Sequence, residues 1–162
     1  MDFAEVITRL NEEDAVIANL RTKGVDIFTI TKIENALIRD TIIFIQTSYQ
    51  EKVISAVLTK IKYHSNNNTE VINFVMARTK KVNIKIDGLR NILNNFSPAY
   101  AANFTRQLNN QSEINIYSSL LTDRINAAHE QGNNLQVGSL SEIRTAHEQA
   151  KQVLEKFESS MW

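Results

Sequence analysis

Apolar residues recur at helical intervals along most of the chain. Phe3, Val6, Ile7, Leu10, Ile17 and Leu20 return to one face of a 3.6-residue repeat. They predict a helix from about Phe3 to Lys23, stopped by Gly24, with its middle, Asn11 to Asp14, facing solvent. Val25 to Ile30 is rich in β-branched residues and reads as an extended connector. Thr31 to Tyr63 then runs without glycine or proline, and Ile38, Ile42, Ile45, Tyr49, Val53, Ala56, Leu58 and Ile61 keep it amphipathic, the pattern of the central helix of a bundle.

His64-Ser65-Asn66-Asn67-Asn68 interrupts this pattern with side chains that compete for backbone hydrogen bonds, so it reads as a loop. Thr69 is placed to cap a helix reaching about Val82. From Val82 to Asp87 apolar and polar residues alternate, which suits an extended or irregular stretch. Leu89 to Phe96 reads as a short helix, and Ser97-Pro98 opens the next with an N-cap and a proline at the first helical position. Between Ser112 and Gln131, Ile114, Tyr117, Leu121, Ile125 and Ala128 fall three or four apart, with Gly132 at the expected stop. Ser139-Leu140-Ser141-Glu142 has the spacing of a capping box. The helix it opens carries Leu140, Ile143, Ala150, Val153, Leu154 and Phe157 on one face and ends near Ser159.

Composition narrows the picture. Four glycines and one proline in 162 residues leave little punctuation for many short strands, so the expected fold is all-α, a helical bundle with one long central helix and a single domain over residues 1–162. The absence of cysteine excludes disulfides, thiolate catalysis and cysteine-ligated zinc. The start of the chain lacks a basic then apolar leader pattern, and no uncharged run is long enough to span a membrane. The expectation is a cytoplasmic protein with no membrane partner. Eighteen basic residues balance eighteen acidic ones, so any attraction to nucleic acid must be local. The densest basic stretch begins with Arg78, Lys80, Lys81 and Lys85, has no acid before Asp87, and continues to Arg90. It is either a solvated face or a track for phosphates.

The late helix contains Leu121-Thr122-Asp123-Arg124-Ile125-Asn126-Ala127-Ala128-His129-Glu130-Gln131-Gly132. An arginine is followed after four residues by a histidine near the helix end, then by a glycine and a short polar loop, Asn133 to Gly138, leading into a last amphipathic helix. This region resembles the signature of the HEPN ribonuclease superfamily. Arg39 to Lys52, with its aromatic-x-Glu element Tyr49-Gln50-Glu51, is similar to the long central helix of HEPN proteins from bacterial defence and toxin systems. The likeness covers most of residues 31–158. It departs from the family at Ile125, where Asn, Asp or His is usual, and at Glu130, where glycine often follows the histidine.

The resemblance implies an endoribonuclease that acts as a homodimer without metal or other cofactor, leaves a 2′,3′-cyclic phosphate or related end, and is held in check by a cognate antitoxin or defence-system partner. Arg124 and His129 would be its catalytic pair. The two residue types suit that chemistry, since an imidazole can take the proton of a ribose 2′-hydroxyl and a guanidinium can stabilise charge developing on phosphate. Asn126 could orient the histidine or bind phosphate, and Glu51 could support the site. Five residues of α-helix advance about 7.5 Å and rotate about 500°, so positions 124 and 129 point about 140° apart. Measured from Leu121, they fall about 60° to one side of the apolar stripe and about 80° to the other. Both would flank the buried seam, where a two-fold dimer could gather two pairs into one cleft.

Three other readings stand beside this one. Arg and His are common at the edges of amphipathic helices, where solubility alone explains them. Ile125 and Glu130 suit an inactive HEPN-like module for protein or nucleic-acid interaction, and the long helix suits a scaffold. His147 follows Arg144 by three residues and reads as a surface or boundary residue, while His64, His129 and His147 lack a metal-ligand spacing such as His-x3-His.

Overall fold

A 38-residue helix, α2 (Ile27–His64), is the spine of the protein, about 57 Å long at 1.5 Å per residue. It follows α1 (Phe3–Thr22) and precedes α3 (Thr69–Thr79), α4 (Ile86–Phe96), α5 (Pro98–Gln107), α6 (Gln111–Ala128) and α7 (Leu140–Ser159). The computed structural model describes residues 3–79, 82–128 and 138–162. Among these the protein is all-α, with seven helices and no strand. Helices α1, α2, α6 and α7 pack against one another as the main bundle; α4 and α5 pair beside it, and α3 rests chiefly on α2.

The periodic residues form the core. Val6, Leu10 and Ile17 of α1 meet Ile38, Ile42, Ile45, Tyr49 and Val53 of α2, and Ile143, Ala150, Val153, Leu154 and Phe157 of α7 join the same buried cluster. Burying one such large side chain stabilises the fold by about 1.5–3 kcal/mol. Of the expected glycine stops, Gly24 is among the described residues and Gly132 lies outside them. Gly24 takes φ +72 after α1, a left-handed conformation natural to glycine, and the Val25 amide returns to the Leu20 carbonyl at 3.1 Å. Asn66 and Asn67 turn the chain after α2 with φ 48 and 60, which asparagine tolerates better than most residues.

Several boundaries differ from the sequence expectation. Val25 to Ile30 is mostly helix: Asp26 caps α2 by accepting from the Thr29 amide at 2.9 Å and the Thr29 hydroxyl at 2.7 Å. The cap outweighs β-branched propensity because it satisfies orphan donors of the first turn. Asn68, not Thr69, caps α3, its side-chain oxygen accepting from Glu70 and Val71. Helix α3 ends at Thr79, and Ile86 and Asp87 belong to α4. Ser97 and Pro98 open α5 as expected, with Ser97 Oγ accepting from the Ala99 amide. Ser139 caps α7 through the Glu142 amide at 3.1 Å, while the Glu142 carboxylate reaches back to the Gly138 amide at 2.7 Å.

The expected solvent-facing middle of α1 contains a buried acid. Glu13 is 6% exposed, accepting from Arg9 Nε at 2.8 Å and from the Thr41 hydroxyl of α2. Arg9 also lies over the Phe44 ring, 4.9 Å from its centroid. The carboxylate is thus paired and hydrogen-bonded, the condition under which burial of charge is tolerated. Lys60, 4% exposed, donates to the Met161 carbonyl among the rings of Tyr63, Tyr100 and Trp162, with Trp162 nearest at 4.3 Å. No described helix is long and apolar enough to cross a membrane.

Replacing Glu13 by alanine removes the partner of Arg9 and leaves the Thr41 hydroxyl unsatisfied in the core. The expected loss is about 1–3 kcal/mol in urea unfolding. A change within about 0.5 kcal/mol, the range of an ordinary surface substitution, would show that the carboxylate contributes nothing to the α1–α2 seam.

Candidate functional site

The helix that carries Arg124 is rooted in the centre of the bundle. Tyr117 is fully buried on α6, and its ring stacks on Tyr49 of α2 with centroids 5.8 Å apart and planes 7° from parallel. The Tyr49 hydroxyl shares a 3.0 Å hydrogen bond with Nδ1 of His147 on α7. Phe3 of α1 sets its edge against both rings, at 5.9 Å from Tyr49 and 5.6 Å from His147. Four helices therefore meet at one aromatic cluster.

His147 is wholly buried, which corrects the expectation of a surface or boundary residue. Its spacing from Leu140, Ile143 and Ala150 puts it on the apolar face of α7, and the Tyr49 hydroxyl satisfies the ring nitrogen there. Burial lowers its pKa from 6.5 to about 4, with Lys151 adding to the effect while the Glu148 carboxylate and the Phe3 backbone oppose it. Burial likewise raises the phenols of Tyr49 and Tyr117, so both remain protonated at neutral pH.

From this root α6 runs toward the candidate pair. Among the side chains of α6 that are described, Tyr117, Leu120, Leu121 and Asp123 are buried. Asp123, with no exposed surface, escaped the sequence reading because it lies off the three-and-four apolar spacing. Arg124 and Asn126 fall in the last turns of α6, where only the backbone is described; His129 lies outside the described residues, as does Glu130.

The basic stretch divides into unlike parts. Arg78 stands near the end of α3, with only its backbone described, and Lys80 and Lys81 lie outside the described residues. Arg90 is half-buried and paired with Asp87 at 3.0 Å, so part of its charge is answered within α4. Lys85 is exposed just before α4 and lines a 260 Å³ cleft with Ile86, Asp87, Ser118, Leu121 and Thr122. The last three belong to α6, immediately upstream of Arg124. The structure thus brings Lys85 to the Arg124 helix. Glu51 is on the exposed side of α2, whereas Tyr49 of the same aromatic-x-Glu element turns into the core.

Among the described residues no group of three or more His, Asp or Glu side chains could hold a metal ion. His64 is exposed with its ring edge-on to Tyr63, and His147 is committed to Tyr49. Comparison with protein-family models, with curated proteins and with solved structures found no match.

The aromatic cluster has a consequence for acid stability. An unfolded histidine titrates near 6.5 and His147 in the fold near 4, so the unfolded chain binds the extra proton first. His147 therefore contributes its full stability above pH 6.5 and loses it as pH falls toward 4. The loss is about 3 kcal/mol at 1.36 kcal/mol per pKa unit. Urea midpoints measured between pH 7 and 4.5 should fall, and more shallowly in His147→Gln. An identical slope in the variant would assign the acid sensitivity to other groups.

Proposed function

We propose that this protein is a metal-independent endoribonuclease of the HEPN type, acting in the cytoplasm in a toxin or antiviral-defence role. The observation that carries the reading is the meeting of Lys85 with Ser118, Leu121 and Thr122 in one cleft. Residues separated by more than a helix in sequence there join a basic side chain to the helix that carries Arg124. A cation beside such a helix suits a polyanion lying across it.

In this reading His129 takes the proton of a ribose 2′-hydroxyl, whose oxygen attacks the adjacent phosphorus in line. The 5′-oxygen of the next nucleotide leaves, and a 2′,3′-cyclic phosphate remains. Arg124 stabilises the charge that gathers on the phosphoryl oxygens, and Asn126 orients the imidazole or binds the phosphate. Lys80, Lys81 and Lys85 hold the RNA backbone, with Arg78 and Arg90 at the ends of the same track. Glu51 supports the site only through another group, given its place on the exposed side of α2. A cognate antitoxin or defence-system partner keeps the activity in check.

Purified protein incubated with transfer and messenger RNA in the presence of EDTA should yield fragments ending in 2′,3′-cyclic phosphate. His129→Ala and Arg124→Ala should each lower the rate by at least about 10²-fold, the usual cost of losing a general base, while circular dichroism remains unchanged. Equal cleavage by all three proteins would point to a contaminant. RNA binding without cleavage in the wild type would favour the inactive HEPN-like module, for which Ile125 and Glu130 speak.

The composite site requires two copies of the chain. Positions five apart on a helix diverge by about 140°, so neighbouring Arg124 helices of a two-fold pair supply what one copy does not gather. Light scattering at micromolar concentration and near-physiological salt should return the mass of a homodimer. A monomer that still cleaves RNA would eliminate the shared cleft.

A further inference from the structure

Ile84 is the one fully buried residue of the segment between α3 and α4 among those described, at 3% exposure. Its backbone carbonyl accepts a 2.6 Å hydrogen bond from the Tyr117 hydroxyl. The next residue is Lys85, whose amide donates to Asn83 Oδ1 at 3.0 Å. On the far side, the Asn83 carbonyl lies so close to Gly88 that a Cβ there would collide with it. The segment is therefore held at three points: an isoleucine in the core, a carbonyl on a phenol, and a backbone seated against a glycine.

We infer that Tyr117 is a positioning residue for RNA binding: through the Ile84 carbonyl it fixes the Lys85 backbone against α6, so that the ammonium group meets phosphate beside the Arg124 helix. The inference rests on the ribonuclease reading for its ligand. Packing accounts for the Tyr117 ring, which stacks on Tyr49 as a phenylalanine would. It does not account for the hydroxyl, whose bond goes to the main chain of the basic segment. The ring is itself held by the Tyr49 hydrogen bond to His147, so the anchor does not swing with the surface. A flexible lysine gains most as a phosphate contact when the backbone beneath it is fixed, because less ordering remains to be done on binding. Among the described residues of the segment, Lys85 is the basic one tied in this way.

The test is a double-mutant cycle read by fluorescence anisotropy with a labelled single-stranded RNA of mixed sequence, across a range of salt. Lys85→Ala should weaken binding and reduce the slope of log K against log salt by about 0.7, the value of one lost phosphate contact on a single strand. Tyr117→Phe should do the same with unchanged circular dichroism, and the double variant should be no weaker than either single one. Faster trypsin cleavage after Lys85 in Tyr117→Phe would report release of the segment independently of RNA. Should Tyr117→Phe fail to fold, Gly88→Ala displaces the segment from its other side and is expected to give the same non-additivity with Lys85→Ala. Additive losses, or a Tyr117→Phe protein that binds RNA like the wild type, would overturn the positioning role while leaving the ribonuclease reading intact. A wild-type protein that binds no RNA at any salt would instead remove that reading, and this inference with it.

Discussion

A phenol hydroxyl at the centre of a helical bundle must be hydrogen-bonded or the burial is unfavourable, and Tyr49 meets that demand with His147. The pairing dictates more than its own geometry. It fixes α7 in register on α2 and presents the Tyr49 face to Tyr117 of α6, while burial within the cluster keeps the imidazole neutral. Phe3 closes the cluster from α1. Each of the four bundle helices thus contributes one ring, and none of the four can slide by a turn without separating them.

From that cluster the order passes outward in steps. Tyr117 extends it by one hydrogen bond to the segment preceding α4, and Gly88 lets that segment lie close to the helix that follows it. The candidate chemistry is placed at the far end of α6 and in the residues beyond it. A rigid interior of this kind fixes the direction of the helix that leaves it.

The long periodic segments were legible in sequence because their apolar spacing is redundant. Any three of Ile38, Ile42, Ile45 and Val53 define the buried face of α2, and the capping residues Ser97 and Ser139 behave as their local chemistry dictates. Polar residues at core positions were not legible. Glu13, Lys60, Asp123 and His147 are buried; Lys60 and His147 find their hydrogen-bond partners in residue 161 and on α2, and Glu13 adds the Thr41 hydroxyl of α2 to its own-helix partner Arg9. No local window reveals a contact between Tyr49 and His147, 98 residues apart. The same reason explains the candidate site. The Arg-x4-His spacing is local and visible, whereas the cleft that brings Lys85 to α6 depends on a tyrosine hydroxyl and a carbonyl 33 residues apart.

Trp162 is the protein's single tryptophan, and it is 63% exposed, lying over the Lys60 ammonium group at 4.3 Å instead of within the core. Its indole emission is consequently a local gauge, sensitive to whether residues 161 and 162 remain docked on α2. Light emitted from this position would shift when that contact frays, even with the Tyr49 cluster intact. An unfolding curve followed by tryptophan fluorescence would then record undocking of residues 161 and 162, and its midpoint need not coincide with the loss of helix.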